Sequence, residues 1–183
     1  MSIITLNNRA TNRSDTASSG QVFTATSATA ADFQDASGGS NTPYFYGALQ
    51  NSQTISRGTI TKVAGMTLNE IDTDSAFDGT TFTVPSNKAG NYFIQGTVDV
   101  SFTSIGNDGQ QVRCMLYKNG SLVKQNYYIN TSNTTTRINV SSNMAIALSA
   151  SDTIELYTRI YDSDSGDASL PDSNTSLFGF KLI

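Results

Sequence analysis

Three carboxylates crowd one short stretch of this chain, Tyr161-Asp162-Ser163-Asp164-Ser165-Gly166-Asp167. Oxygen ligands at alternate positions of a glycine-containing loop suit Ca²⁺, a hard cation, which makes Asp162, Asp164 and Asp167 candidate ligands. The bidentate glutamate that closes an EF-hand loop is missing, and Ser173 stands in its place. A solvated acidic loop has the same composition. The single thiol, Cys114, has no histidine base, because the chain contains no histidine. Cys114 alternates with Val112 and Leu116, the pattern of a small buried residue on one face of a strand. Without histidine there is no Ser-His-Asp triad and no histidine metal site. Neither a Gly-x-Ser-x-Gly elbow nor a phosphate-binding loop occurs. With 15 Asp and Glu, carboxylate pairs arise by chance, so glycoside hydrolysis leaves no distinctive mark. The chain is read as a non-enzyme with no catalytic residue and no cofactor beyond the candidate calcium.

The composition fits that reading. Charged residues make up only 14% of the 183 residues, against about 25% in an ordinary soluble domain. Ser, Thr, Asn and Gly take their place. Thr favours strands, and Asn, Ser and Gly favour turns and compete with helix hydrogen bonding. The net charge is −4 with only 11 Lys and Arg, and no basic stripe is visible, so nucleic acid is not an expected partner. The first residues, Met1-Ser-Ile-Ile-Thr-Leu-Asn-Asn-Arg9, lack a basic region and a long apolar run, so no secretory leader is expected. No apolar run is long enough for a membrane-spanning helix, and no membrane partner is expected.

The elements that would position any site divide the chain in two. Residues 1–42 carry few large apolar side chains, namely Ile3, Ile4, Leu6, Val22, Phe23 and Phe33, and end near the hinge-like Ser37-Gly38-Gly39-Ser40-Asn41. So few hydrophobes cannot enclose a core, and the segment is expected to be an extended arm that orders along another surface. Ile3, Ile4 and Leu6 would suit a strand added to a partner's sheet. Arg9 and Arg13 would pair with acidic groups there.

Residues 43–183 alternate strands and turns throughout. Strands are expected at Phe45 to Leu49, Gln53 to Lys62, Met66 to Ile71, Thr81 to Val84, Tyr92 to Phe102, Gln111 to Lys118, Leu122 to Ile129, Arg137 to Val140, Met144 to Leu148, Thr153 to Ile160 and Phe178 to Ile183. Tyr92, Ile94, Gly96, Val98 and Val100 share one face of their strand, with Phe93, Gln95, Thr97 and Asp99 on the other. Asn119-Gly120 marks a hairpin, since both residues tolerate positive φ. Many short strands at even spacing, without a helix-period segment, indicate an all-β sandwich or barrel.

The order of these segments resembles the complement globular-head family within the tumour-necrosis-factor (TNF)-like jelly rolls. Asn69-Glu70 to Phe77-Asp78, then Thr81-Phe82-Thr83-Val84-Pro85, then Ala89-Gly90-Asn91-Tyr92-Phe93-Ile94, is similar to its "F-x-x-P, then G-x-Y-x-F" signature. Leu116-Tyr117-Lys118-Asn119-Gly120 resembles its "L-x-K-N-G" hairpin. Ala145 to Leu148 followed by Ser151 to Leu156 resembles its "L-x-L-x-x-G-D-x-V-x-L" pair, with Ala150-Ser151 where glycine is usual. Ser176 to Leu182 resembles its closing strand, shortened by one residue. The match spans roughly residues 44–183. The resemblance implies a ten-stranded two-sheet jelly-roll sandwich, a tight homotrimer, and a binding or scaffolding role. It also implies an apolar trimer axis, for which Tyr44, Phe45, Tyr46, Tyr92, Phe178 and Phe180 are the candidates. Some relatives bind calcium near the trimer apex, and Asp162, Asp164 and Asp167 fall in that region of the sequence.

The arm resembles a different group. Gly20-Gln21-Val22-Phe23-Thr24-Ala25-Thr26-Ser27-Ala28-Thr29-Ala30-Ala31-Asp32-Phe33 is similar to an element common in bacteriophage fibre and virion-appendage proteins. The joint expectation is a trimeric phage virion protein on the virion surface. The arm would dock it to a major capsid or other virion protein, and the jelly roll would act as a capsid decoration or short head fibre. The alternative is a tail-fibre or receptor-binding module that recognises host-surface glycan. A depolymerase is a third reading, testable by release of oligosaccharide from host polysaccharide.

Overall fold

The computed structural model describes residues 3–6, 9–12, 21–25, 31–35, 41–102, 110–131, 137–162 and 168–183; before residue 41, and at Asp162, it describes backbone alone. The chain divides into two compact units, Met1–Gly39 and Ser40–Ile183. In the first unit, β1 (Ile3–Leu6) pairs antiparallel with β2 (Arg9–Asn12), and β3 (Gln21–Ala25) with β4 (Ala31–Asp35). The strand at Ile3–Leu6 therefore has a partner within its own segment. That pairing uses one edge of the strand.

The second unit is all-β. Its strands are β5 (Tyr44–Ala48), β6 (Gln53–Ile55), β7 (Thr61–Lys62), β8 (Leu68–Asp72), β9 (Thr81–Thr83), β10 (Gly90–Phe102), β11 (Gln110–Lys118), β12 (Ser121–Asn130), β13 (Arg137–Leu148), β14 (Thr153–Asp162), β15 (Ala168–Leu170) and β16 (Ser176–Lys181). They form a seven-stranded and a five-stranded antiparallel sheet, a jelly-roll sandwich with more strands than the ten expected. The long β10 organises the first sheet. One of its edges pairs with β13 from Gly90 to Ser101. The other pairs with β16 over Tyr92–Thr97 and with β15 at Ser101 and Phe102, so β15 and β16 lie end to end along it. Next to β16 comes β5, and beyond it β8. The second sheet runs β12-β11-β14, with β7 and β9 on the far edge of β14.

Two differences from the sequence reading have local causes. The segment Gln53 to Lys62 is not one strand but a crossing between sheets. β6 pairs with β15 in the first sheet and β7 with β14 in the second. Gly58, at φ 73°, makes the turn, and the Thr59 amide donates to the Ser56 carbonyl at 3.2 Å. Conversely, Arg137 to Leu148 is one strand. Ser141, Ser142 and Asn143, which read as a break, continue the ladder opposite Thr97, Gly96 and Gln95.

The core lies between the sheets. Phe45 stacks on Phe82 at 4.1 Å between ring centroids, and Phe77 and Tyr92 pack on the same pair. Val98, Val100, Val112, Cys114, Leu116, Ile154, Leu156 and Ile160 fill the rest. The sheets approach closely at Gly96, where an added Cβ would lie 2.6 Å from Leu156 Cδ1 and 3.0 Å from Leu116 Cδ2. The Asn119-Gly120 hairpin forms as predicted, with φ values of 50° and 75°.

Candidate functional site

Alternation along the first sheet decides which side chains leave the core. On β10, Tyr92, Ile94, Gly96 and Val98 point inward, and Phe93, Gln95 and Thr97 point outward. On β16, Leu177 and Gly179 are inward and Phe178 and Phe180 outward. On β5, Phe45 is inward, which turns Tyr44 and Tyr46 outward. Gly179 is necessary to this arrangement. A Cβ there would come within 2.7 Å of both Phe45 Cε1 and Ile94 Cδ1, so the core leaves no room for a side chain between the two outward phenylalanines.

Register then gathers the outward rings. Phe93 is opposite Phe180, Phe180 is opposite Tyr44, and Phe178 lies between Gln95 and Tyr46. Ring centroids are 5.7 Å apart for Phe93 and Phe180, 5.6 Å for Phe178 and Phe180, 6.2 Å for Phe93 and Phe178, and 5.6 Å for Tyr44 and Phe178. These are edge-to-face and tilted geometries favourable for aromatic clusters. Ile71 on β8, opposite Tyr46, extends the patch and is exposed. Asn41, Thr42, Tyr44, Phe178 and Phe180 line a shallow cavity of about 380 Å³ at its rim.

The other end of the same face is polar. Thr97 and Ser141 hydroxyls meet at 2.9 Å. Asp99 is buried and receives Arg137 through Nε at 3.0 and 2.9 Å and Nη2 at 2.6 Å, a bidentate pair across β10 and β13. Asp99 raises the Arg137 guanidinium above its ordinary value, by hydrogen bonding first and by charge second.

Of the six residues expected on an assembly axis, Tyr44, Tyr46, Phe178 and Phe180 lie together on this face. Phe45 and Tyr92 do not. Both are wholly buried within the chain, because each is the inward member of its alternating strand. The Tyr92 hydroxyl donates to the Lys88 carbonyl at 2.6 Å, and burial, followed by the charge of Asp74, pushes it up to about 12. Phe93 belongs to the face but sits in the sequence among Gln95, Thr97 and Asp99, which marked that side of β10 as polar.

A second apolar surface has a different origin. β12 is the outer strand of the five-stranded sheet, touched by β13 where Asn126 Nδ2 donates to the Ser141 carbonyl at 3.0 Å, and its residues from Ser121 to Ile129 are exposed. It carries Leu122, Val123, Tyr127, Tyr128 and Ile129, with Tyr127 56% and Ile129 52% exposed. Tyr128 is opposite Val112, a core residue, yet is half exposed. An exposed outer strand carrying apolar side chains is a template for association unless something covers it.

Cys114 is buried, its thiol donating to the Gly96 carbonyl at 3.3 Å, and burial pushes it up to about 12. It is therefore a packing residue, not a nucleophile. Asp164 and Asp167 lie outside the described residues, as does Arg13, and the side chains of Asp162, Ile3, Ile4, Leu6, Arg9, Val22, Phe23 and Phe33 are likewise outside them. Among the described residues no three of His, Cys, Asp and Glu cluster as a metal site, and no helix is long and apolar enough to cross a membrane.

No family model matches the chain, and none of the curated proteins matches it. Among solved structures, the globular domain of zebrafish complement 1qA protein is similar at 12% identity and a TM-score of 0.47, over 77% of this chain and 98% of that one. Eiger TNF from S. frugiperda is similar at 11% identity and a TM-score of 0.48, over 77% and 94%.

Proposed function

We propose that this protein is a non-enzymatic structural module that assembles as a homotrimer by burying the aromatic face of its first sheet. The observation that carries this is the cluster of Tyr44, Phe93, Phe178 and Phe180 on the side of the sheet facing away from the core. The four rings are half-buried against one another and face away from the core, and a contiguous aromatic patch outside the core is a mark of an interaction site. The outer strand β12 supports the same reading and adds a geometry. The face and the edge are different surfaces on different sheets. A contact between them would be head-to-tail, and such contacts close into a ring where the rotation closes and otherwise run on as an open filament. The number three is what the family resemblance of the sequence implies. Light scattering of the full chain at micromolar concentration is expected to return the mass of a trimer, and a lone protomer would refute the assembly.

The finer part of the proposal is a bacteriophage virion surface protein, either a capsid decoration or a short head fibre. Residues 1–42 would be the segment that docks to another virion protein. The support is the resemblance of Gly20 to Phe33 to fibre and appendage proteins. Trimerisation would strengthen docking, since tied arms bind at high effective concentration. Deletion of residues 1–36 is expected to leave a soluble trimer that no longer joins particles. Incorporation of the truncated protein would show that docking resides elsewhere.

A further inference from the structure

We propose that the outer face of the second sheet carries an oxyanion site, built by Arg113, Arg159 and Tyr161, that takes the carboxylate of an acidic saccharide. The starting point is a register. Arg113 on β11 stands directly opposite Arg159 on β14. Like charges in that position repel and destabilise a sheet. The chain has only 11 Lys and Arg and a net charge of −4, yet two of its few cations face each other, and among the described residues neither is in an ion pair. The ion pairs among the described residues use Lys62, Lys88, Lys118 and Arg137 instead.

Both guanidinium groups are nevertheless held in place. Arg113 Nε donates to Gln111 Oε1 at 2.9 Å, and Arg159 Nε donates to the Gly58 carbonyl at 2.8 Å. Their central carbons lie 5.5 and 4.3 Å from the centroid of the Tyr161 ring, within cation–π range. The Nε atoms and the ring fix the two groups, and no hydrogen bond within the described residues uses their Nη donors. Two fixed guanidinium forks with free outer donors match a carboxylate, which would also cancel their repulsion. Because the groups are already ordered, binding would cost little side-chain entropy.

The surroundings favour a sugar over a nucleic acid or a free ion. Tyr157 and Tyr117 form a tilted ring pair 4.3 Å apart farther along the face. Gln111 and Gln125 supply amides on the outward side of the same sheet. Aromatic rings for pyranose faces, amides for hydroxyls and one cationic spot suit a hydroxyl-rich chain with spaced carboxylates. A polyphosphate, with its charges at closer spacing than the carboxylates of a uronate chain, would bring more negative charge against the acidic protein and Glu155 on the same face.

Calorimetric titration of the full chain with an oligogalacturonate, a neutral cello-oligosaccharide of equal length and sodium sulfate tests this. The uronate is expected to bind with an affinity that falls as salt rises, the neutral sugar not to bind, and sulfate to compete weakly. Arg113→Gln and Arg159→Gln should each weaken uronate binding by roughly tenfold or more. Arg113→Gln should leave the circular dichroism unchanged and the melting temperature equal or higher, because one of two facing charges is gone. Absence of uronate binding at millimolar concentration, or binding untouched by both variants, would overturn the proposal. So would sulfate binding as tightly as the uronate. A lower melting temperature for Arg113→Gln with unaltered uronate binding would assign the pair to packing alone. The mass of the assembly is read separately, so failure of the trimer and failure of this site are distinguishable.

Discussion

Phe93 and Phe180 stand directly opposite each other on β10 and β16, ring centroids 5.7 Å apart, on the side of the sheet that faces away from the core. Neither ring fills the sandwich, so a charge at Phe180 should spare the fold and strike the assembly. Phe180→Asp is expected to retain the β-sheet circular dichroism of the parent while its mass by light scattering falls to that of one protomer. An unpaired carboxylate in a buried aromatic interface has a large desolvation penalty. An unaltered trimer mass and melting temperature would show that Phe180 remains in water.

The contact between sheets at Gly96 should be intolerant of even one methyl group. The nearest obstacles, Leu156 Cδ1 and Leu116 Cδ2, are themselves wholly buried. Gly96→Ala is expected to lower stability by about 1–3 kcal/mol, read as a lower urea midpoint at unchanged slope.

Removing a ring from the centre of the sandwich should cost more. Phe82 is stacked on Phe45 and touches Tyr92. Phe82→Ala is expected to lose about 3–5 kcal/mol, measured by the same urea titration.

One turn should be sensitive to acid. Asp152 receives Lys118 Nζ at 2.8 Å, Asn119 Nδ2 at 2.7 Å and the Ser149 amide at 2.7 Å, which ties the β13–β14 turn to the β11–β12 hairpin. The Lys118 hydrogen bond first, then those from Asn119 and Ser149, bring its carboxyl from 3.8 down to about 2. A depressed folded value means that the contribution is complete above the unfolded value and disappears as pH falls from about 4 to about 2. Asp152→Asn is expected to show a smaller drop in melting temperature between about pH 5 and about pH 2 than the parent does. Equal drops would mean that the turn is not held by the carboxylate.

Strand order and turn chemistry were legible because they are local. The inward set Tyr92, Ile94, Gly96, Val98 and Val100 follows from period-two alternation, and Asn119-Gly120 from the need for positive φ. Alternation gives two faces but does not say which one meets the other sheet when both are aromatic. Phe45, set between Tyr44 and Tyr46, therefore reads from the sequence as one of three outward rings, and Phe93, beside Gln95 and Thr97, as part of a polar side. The crossing at Gly58 and the meeting of Arg113 with Arg159 depend on register between distant strands. No window of neighbouring residues contains that information.

The placement of β16 has a consequence for how the domain comes into being and how it opens. This strand, the last of the domain, is wedged between β5, the first, and β10, so Tyr44 must find Phe180 before the sheet closes. A search across nearly the whole domain is slow, and while it runs β5 and β10 wait with a vacant edge, open to wrong neighbours. Once in place, β16 can come free only when its ladders to both β5 and β10 are broken. With a ladder on each edge, β16 is expected to be among the last strands of the domain to open.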